Sequence, residues 1–559
     1  RKRRRFVRQT SVVVSSPPLK RWSQRLLFFC VASLIFVFIL SFTTAELGGS
    51  SVFRPVLMVQ KLALLSESVS PHRDSPSTLK IESRVSFPDH VLLLVSGDGG
   101  GDLECVYYCR DDGGCDFYTK EIIGFDEYDG LGWAAVRCPV PSSNYLNVVG
   151  LKRKNGVAMK ENLTGVVVHS WSRLVYAAVI DGDDVVLFVK GLNLKPGRVS
   201  DPTPLTCHFL RSGEKNSTAT TTRASLAAQE IVRCPLPTNT FHQSTAVTVG
   251  FRPYRSHRGG GPVLIPSVAR ISGTRPPAAK KKHELCVCSM VWNQASAIKE
   301  WILYHSWLGV ERWFIYDNNS DDGIDEILQQ LNLNISRHFW PWIKAQEAGF
   351  SHCALRARDE CAWVSFMDVD EYFHLPFSSS HSLLSLVANF TTASSRVGEI
   401  RTSCYSFGPS GLISHPERGV TTGYTCRLQS PERHKSMVRL DALDPSLLNV
   451  VHHFRLKEGF RYLNLPRTTA VINHYKYQVW DVFRAKYYMR AATYVADWHE
   501  NKNEGSRDRA PGLGTEAVEP ADWPRRYCQV WDSGLRKFVL ANLVDSSTGL
   551  LPWEISSAL

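Results

Sequence analysis

A chain of 559 residues with 43% hydrophobic and 21% charged residues is globular in composition and long enough for two or three domains. Its net charge of +12 would suit a nucleic-acid partner, but much of the excess sits in residues 1–25, where Arg and Lys cluster without one acidic residue. No stripe of basic residues interleaved with aromatics follows, so nucleic acid is not an expected partner.

The basic tail 1–25 runs straight into an uncharged apolar segment, Leu26 to Phe42 (LLFFCVASLIFVFILSF). This falls at the short end of the roughly 17–25 residues that a spanning helix needs. Basic residues before it predict a cytoplasmic N-terminus and a lumenal remainder, a type II arrangement. The rival is a cleaved signal peptide, whose apolar core is about 7–15 residues; Thr43-Thr44-Ala45 matches its cleavage site only weakly. A short span suits the thinner membranes of the early secretory pathway, and the expectation is a Golgi membrane. The fourteen cysteines fit an oxidising lumen. With Cys30 inside the span, thirteen remain, so at least one has no partner within the chain. Asn-x-Ser/Thr sequons stand at Asn162, Asn216, Asn318, Asn334 and Asn389, and Asn216 lies in the most polar surroundings.

Residues 43–89, rich in Ser and Pro, read as a stem. From 90 to 272 the chain is β-rich, short apolar runs alternating with Gly, Asp and Pro turns. Two echoes run through it. His90-Val91-Leu92-Leu93-Leu94-Val95 returns as Asp184-Val185-Val186-Leu187-Phe188-Val189, and Val136-Arg137-Cys138-Pro139 returns as Val232-Arg233-Cys234-Pro235. The offsets of 94 and 96 residues nearly agree, which predicts a duplicated β-sandwich-like module; it would bind or position carbohydrate, or act merely as a spacer. Cys207 with Cys234, and Cys105 or Cys109 with Cys138, would be parallel disulfides in the two copies. A linker at 272–277 and Lys280-Lys281-Lys282 then lead into an α/β domain, 284–559.

There the periodicity predicts strands at Leu285–Val291, Arg312–Tyr316, Ser336–Trp340 and Trp363–Met367, with helices at Ala295–Leu308, Ile324–Leu331 and Gln346–Glu360 between them. This order calls for a mostly parallel, Rossmann-like sheet with ligands at the carboxyl ends of its strands. Two acidic groups stand at such ends. Asp317-Asn318-Asn319-Ser320-Asp321-Asp322-Gly323 reads either as an Asn/Asp-rich turn or as a nucleotide pocket in which Asp317 accepts from a uracil or ribose. Asp368-Val369-Asp370-Glu371 packs three carboxylates that repel one another unless a cation offsets them, and a hard divalent ion is the natural one. No Gly-rich phosphate loop occurs in the region, which argues against dinucleotide or ATP chemistry. Cys286 and Cys288 alternate on a strand and point to one face. Cys353 and Cys361, about 12 Å apart on one helix, cannot pair with each other while it holds.

Several ordered blocks resemble the glycosyltransferase family 92, which includes plant β-1,4-galactan synthases. They are Val291 to Gln294, Trp301-Ile302-Leu303-Tyr304-His305, Gly309-Val310-Glu311, Tyr316 to Asp322, Phe339-Trp340-Pro341, Gln346 to Cys353, and Trp363 to Phe373. The resemblance covers roughly 284–500 and implies a GT-A fold and an inverting enzyme. It also implies a divalent metal of manganese type (Mn2+), a UDP-sugar donor with galactose favoured, and a glycan acceptor. Asp368 and Asp370 would then bind metal and diphosphate, with Asp317 and Asp322 at the nucleoside. His474, in a His-Tyr-basic block, would be a third metal ligand, with His452 and His453 as alternatives; Lys435 and Lys476 would neutralise the diphosphate. Inversion needs a base opposite the leaving group, and Glu417, Glu432 and Glu371 are the candidates, with bracing of the metal loop as the alternative role for Glu371. The rival from another class is a non-catalytic, membrane-anchored lectin or scaffold, against which the intact Asp-Val-Asp weighs. A homo-oligomer is left open.

Overall fold

The computed structural model describes residues 79–555 apart from 98–101, 110–116, 129–131, 144, 155–164, 193, 195–196, 211–219, 238–244, 253–261, 272–280, 377–381, 392–394 and 495–517. The basic tail, the apolar run 26–42, most of the 43–89 stem, the linker, Asn162 and Asn216 lie outside the described residues. Among the described residues no helix is long and apolar enough to cross a membrane.

The echoed segments prove to be hydrogen-bonded partners. His90–Ser96 pairs antiparallel with Trp133–Pro139, His90 opposite Pro139 and Val91 opposite Cys138. Asp184–Val189 pairs with Ile231–Pro235 in the matching register, Asp184 opposite Pro235 and Val185 opposite Cys234. In the first β region these strands lie in a five-stranded sheet accompanied by a three-stranded one, Phe117–Glu121, Leu103–Cys109 and Tyr145–Arg153. In the second, a five-stranded sheet is accompanied by one built on Leu205–Leu210 and Thr245–Phe251. Disulfides Cys105–Cys138 and Cys207–Cys234 join the sheets within each region; the second is the pairing expected from sequence, and in the first Cys105 is the partner of the two the sequence left open. The first sheet also contains Lys80–Ser86, so this region begins inside the stretch expected to be stem.

Alternation then divides each strand between two cores. Val91, Leu93 and Val95 pack with Tyr107, Val136 and Val149 inside the first region. Val185, Leu187 and Val189 pack with Phe209, Val247 and Val249 inside the second. The intervening residues, Leu92 and Leu94 with Val186 and Phe188, turn outward and pack with Phe314, Tyr316 and Trp340 of the α/β domain. A strand buried on both faces reads as an unbroken apolar run. That is why both segments lack the polar alternation of a one-sided strand.

In the α/β domain the elements alternate as expected: strand His283–Val291, helix Ala295–Trp307, strand Arg312–Asp317, helix Ile324–Gln330, strand Ile335–Phe339, helix Gln346–Ala357 and strand Cys361–Phe366. These four strands are parallel. Their spatial order is Ile335–Phe339, Arg312–Asp317, His283–Val291, Cys361–Phe366. The chain thus steps outward twice and then returns to the other side of its first strand. Beyond Cys361–Phe366 the sheet departs from the parallel expectation. Arg433–Arg439 joins it antiparallel, followed by Val397–Ser406, Val471–His474 and Glu371–His374. Among the described residues only the short α-helices Leu383–Ala388 and Val420–Gly423 fall among these later strands, too short to carry a helical period, so periodicity gave little signal for them.

Disulfides fasten this sheet. Cys286–Cys361 ties the two strands at the point of return, and Cys288–Cys353 ties the first strand to the helix Gln346–Ala357. That helix ends before Cys361, so Cys353 and Cys361 sit on different elements with different partners. Cys426–Cys528 anchors the C-terminal segment. Among the described residues Cys404 is a free, buried thiol.

Candidate functional site

In an open α/β sheet the crevice for a ligand forms where the strand order reverses, outside the carboxyl ends of the two strands involved. Here those strands are His283–Val291 and Cys361–Phe366. The turn Trp292-Asn293-Gln294 leaves the first, and Asp368-Val369-Asp370 follows the second.

Carboxylate oxygens of Asp368, Asp370 and Glu371 all lie within 4.8 Å of one another. Their side chains are 25%, 8% and 0% exposed, so charge is concentrated in a largely dry place. Two lysines offset part of it. Lys435 Nζ lies 3.0 Å from Asp368 Oδ2 and 2.5 Å from Glu371 Oε1, and Lys486 Nζ lies 3.1 Å from Asp370 Oδ2. Lys435 has a third neighbour. His452 Nδ1 stands 2.9 Å from the Phe366 carbonyl, which can only accept, so Nδ1 carries the proton and Nε2 is left to accept from Lys435 Nζ. Burial holds the His452 pKa down at about 3, in keeping with a neutral ring. The three N–H bonds of Lys435 are therefore all engaged with protein. Lys435, expected at a diphosphate, here braces the acidic loop.

Glu371 takes the bracing role that was the alternative to acting as a base. Its carboxylate is fully buried, with Oε1 on Lys435 and Oε2 accepting from the Asp368 N–H at 3.1 Å. Burial pushes its pKa up to about 8, against the pull of Lys435. It shapes the loop and has no exposed surface from which to act as a base. His474, directly opposite Glu371 in the sheet, brings Nε2 to 3.4 Å from Asp370 Oδ1. Neighbouring octahedral ligands with bonds near 2.1 Å sit about 3 Å apart. Asp370 and His474 are thus spaced as two ligands of one small cation, and Asp368 supplies a further oxygen at the more open end. The donor set fits a hard divalent ion. Cys404 Sγ lies within 4.8 Å of donor atoms of Glu371 and His474.

The helix Ala295–Trp307 holds this arrangement from behind. Trp301, Tyr304 and His305 share one helix face at i, i+3 and i+4. Trp301 Nε1 donates to the Glu371 carbonyl at 2.9 Å, and the Tyr304 hydroxyl donates to that of Phe373 at 2.5 Å. The Phe373 N–H donates to His305 Nε2 at 3.3 Å, while Nδ1 donates to the Trp301 carbonyl. Burial keeps His305 neutral, its pKa near 3. One residue earlier, Glu300 accepts from the backbone of Val420 and Thr421. The Trp-Ile-Leu-Tyr-His block is therefore a clamp on the backbone that carries the acids.

Asp317 is placed differently from the expectation. Its carboxylate is fully buried: Oδ1 accepts from the Ser320 N–H at 2.9 Å, and Oδ2 accepts from Arg337 at 2.7 Å. It fixes its loop and offers no open face to a nucleoside. Asp322 Oδ2 accepts from the Ala295 N–H at 2.7 Å, capping the clamp helix. Asp321 and Ser320 bond Asn293. The loop 317–322 thus stands behind the turn 292–294 and supports it. The Asn318 side chain donates to the Trp340 carbonyl at 2.6 Å.

Of the base candidates, Glu432 accepts from Ser406 and lies 3.6 Å from Lys476, with its side chain 34% exposed. Ser406 is the register partner of His474, so this pair borders the acidic group. Glu417 is exposed on the 411–419 loop. His453 is bound to Glu399 and Ser436. Lys486 escaped the sequence reading, because its helix, Trp480–Tyr494, has no motif to mark it.

The glycosyltransferase family 92 model matches residues 281–510. A protein of that family from Ricinus communis is 49% identical over 100% of this chain and 99% of its own. One from Arabidopsis thaliana is 50% identical over 95% of each chain. Among solved structures, mannosyl-3-phosphoglycerate synthase from Rubrobacter xylanophilus is 10% identical over 42% of this chain and 80% of that one, at a TM-score of 0.21, too slight a likeness to argue from.

Proposed function

This chain belongs to glycosyltransferase family 92, and from that premise we propose that it moves a sugar, galactose first, from a UDP-sugar to a cell-wall or glycoprotein glycan with inversion at the anomeric carbon. The observation that carries this reading is the carboxylate group Asp368, Asp370 and Glu371, gathered at the strand-order reversal with His474 beside it. Asp368, Asp370 and His474 would hold a divalent cation, manganese first, which when bound supplies Lewis-acid neutralisation of the diphosphate. The chain's own residues do the rest. Lys435 and Glu371 fix the loop, and Lys486 sets Asp370. Glu432, beside Lys476 at the border of the group, takes the proton from the acceptor hydroxyl.

We read the α/β domain as GT-A-type and the two β regions as a duplicated module that contacts glycan. Exposed Phe117, Tyr118 and Phe125 give the first of them apolar ring faces on which a sugar can stack. The apolar run 26–42 would anchor the chain in the Golgi membrane with this domain lumenal; a tagged chain in protease-protected Golgi vesicles is the expected finding.

The test uses the purified full chain with manganese, a panel of UDP-sugars, and galactan, arabinogalactan and N-glycan acceptors. Manganese-dependent transfer giving a product of inverted configuration is expected, falling by about 1,000-fold or more in Asp368→Ala/Asp370→Ala. Transfer that survives the double substitution would reject the site. Glycan binding without transfer from any donor would favour the lectin reading.

A further inference from the structure

The echoed Val-Arg-Cys-Pro motif does work that the acidic crevice does not account for. Its cysteine joins the sheets of its own region, while its arginine reaches out of that region. Arg137 Nη1 donates to the Asn319 carbonyl at 3.2 Å, and Nη2 lies 3.5 Å from that of Ser320. The same Nη2 is 3.6 Å from Asp126 Oδ2. Asp126 Oδ1 accepts from Arg337 at 2.7 Å, and Arg337 also binds Asp317. In the second region Arg233 donates to Asp181 at 2.7 Å and to the Pro445 carbonyl at 3.1 Å. Asp181 in turn accepts from Arg358 at 2.5 Å. Each region therefore sets one aspartate between its motif arginine and an arginine of the α/β domain.

Shape makes room for this. Gly124 lies opposite Arg137, and a Cβ there would come within 2.3 Å of the guanidinium. Asp126, Arg137 and Asp317 are all nearly or wholly buried. A buried ionic group is a poor source of stability compared with apolar packing of the same volume, but its directed bonds fix a register. The outward-facing apolar residues already supply adhesion, so what the arginine and aspartate add is direction. In the first region that direction ends on the loop 317–322, which supports the turn 292–294 at the crevice.

We propose that Asp126 and Arg137, carried by the first β region, are positioning residues for the donor crevice, holding the 317–322 loop through Arg337, Asp317 and the Asn319 and Ser320 carbonyls. This rests on the reading of the crevice as a UDP-sugar site. It makes the first β region a part of that site. The second region, whose aspartate bridges to Arg358 at the end of the helix Gln346–Ala357, supports the fold without setting the donor.

The experiment measures UDP binding with manganese by calorimetry, donor KM and kcat, and the melting temperature, all on the full chain. Asp126→Asn is expected to raise the UDP Kd and donor KM about tenfold with kcat within about twofold, and Arg137→Lys about threefold to fivefold, since lysine keeps the charge but loses the planar fork. Asp126→Glu restores most of the affinity, and Asp181→Asn leaves it within about twofold of the wild type. Folded Asp126→Asn protein with wild-type Kd and KM overturns the proposal, and so does an equal loss in Asp181→Asn. Wild-type protein without UDP affinity removes the crevice reading, and this proposal falls with it; wild-type affinity left unchanged by the variants removes this proposal alone.

Discussion

Arg137 of the first β region ends on carbonyls of the loop behind the crevice, whereas Arg233 of the second ends on Pro445. The two regions share the paired echo strands, the disulfide and the Arg–Asp–Arg bridge. They differ in what lies on the far side of that bridge. For the first it is Arg337, which also answers to Asp317 and Asp325 at the carboxyl edge of the sheet. For the second it is Arg358, after a helix that has run back from that edge. The same docking device thus acquires a different consequence from the element it grips.

The comparison holds only if both regions are packed onto the domain rather than tethered to it, and the largest expected effect tests that. Phe188 is fully buried among Trp340 and His352, and Leu92 is buried on the same outward side of its own sheet. Phe188→Ala is expected to cost about 3–5 kcal/mol and Leu92→Ala about 2–5 kcal/mol in urea unfolding. Costs within about 0.5 kcal/mol, as at an exposed site, would show free modules and break the comparison. Next come the disulfides. Their loops of 27 and 33 residues are similar, so replacing either pair by alanine should cost about 3–4 kcal/mol, and a twofold disparity would mean that the cores differ in kind.

A third test uses pH. Although burial raises the Asp181 carboxyl, Arg358 and Arg233 more than offset this and hold its pKa below the ordinary aspartate value of 3.8. A carboxyl depressed in the folded chain contributes stability above the unfolded pKa and loses it as pH falls below that value. Asp181→Asn should therefore cost about 2 kcal/mol at neutral pH, and the gap from wild type should close as pH falls below 3.8; a constant gap down to pH ~3 would remove the charge from the account. The smallest effect belongs to Gln229, whose side-chain amide exchanges two hydrogen bonds with the backbone of Asn449. Gln229→Ala should cost about 1 kcal/mol and leave donor affinity unmoved.

Much of this organisation was legible in the sequence, where the signal was local. The alternation from His283 to Phe366 gave its seven elements in order, because each carries its own apolar period. Asp368 and Asp370 were marked by their place after an apolar strand. The pair Cys207–Cys234 followed from the echoes, which left Cys138 to either Cys105 or Cys109. What escaped was decided between distant segments. Lys486 meets Asp370 across 116 residues, and Trp301 reaches Glu371 across 70, contacts that no spacing rule encodes. Lys435, Asp317 and Asp322 were read as ligand-facing groups, and the fold gives each of them protein partners that the sequence could not name. Sequence marks a charged group and its neighbourhood, while its partner is set by the fold. The acidic loops proved to satisfy much of their charge and hydrogen bonding internally.

The strand His90–Ser96 is buried on both sides, one side by its own region and the other by elements that end near Phe366. Those elements are synthesised some 270 residues later. At roughly 5–20 residues per second the ribosome takes on the order of 15–50 s to deliver them. Throughout that interval Leu92 and Leu94, joined once the second region is made by Val186 and Phe188, form an unsheathed apolar face on the nascent chain. Biogenesis of this chain therefore includes a window in which holdase chaperones have a defined target, and slowed translation between the β regions and Phe366 lengthens it.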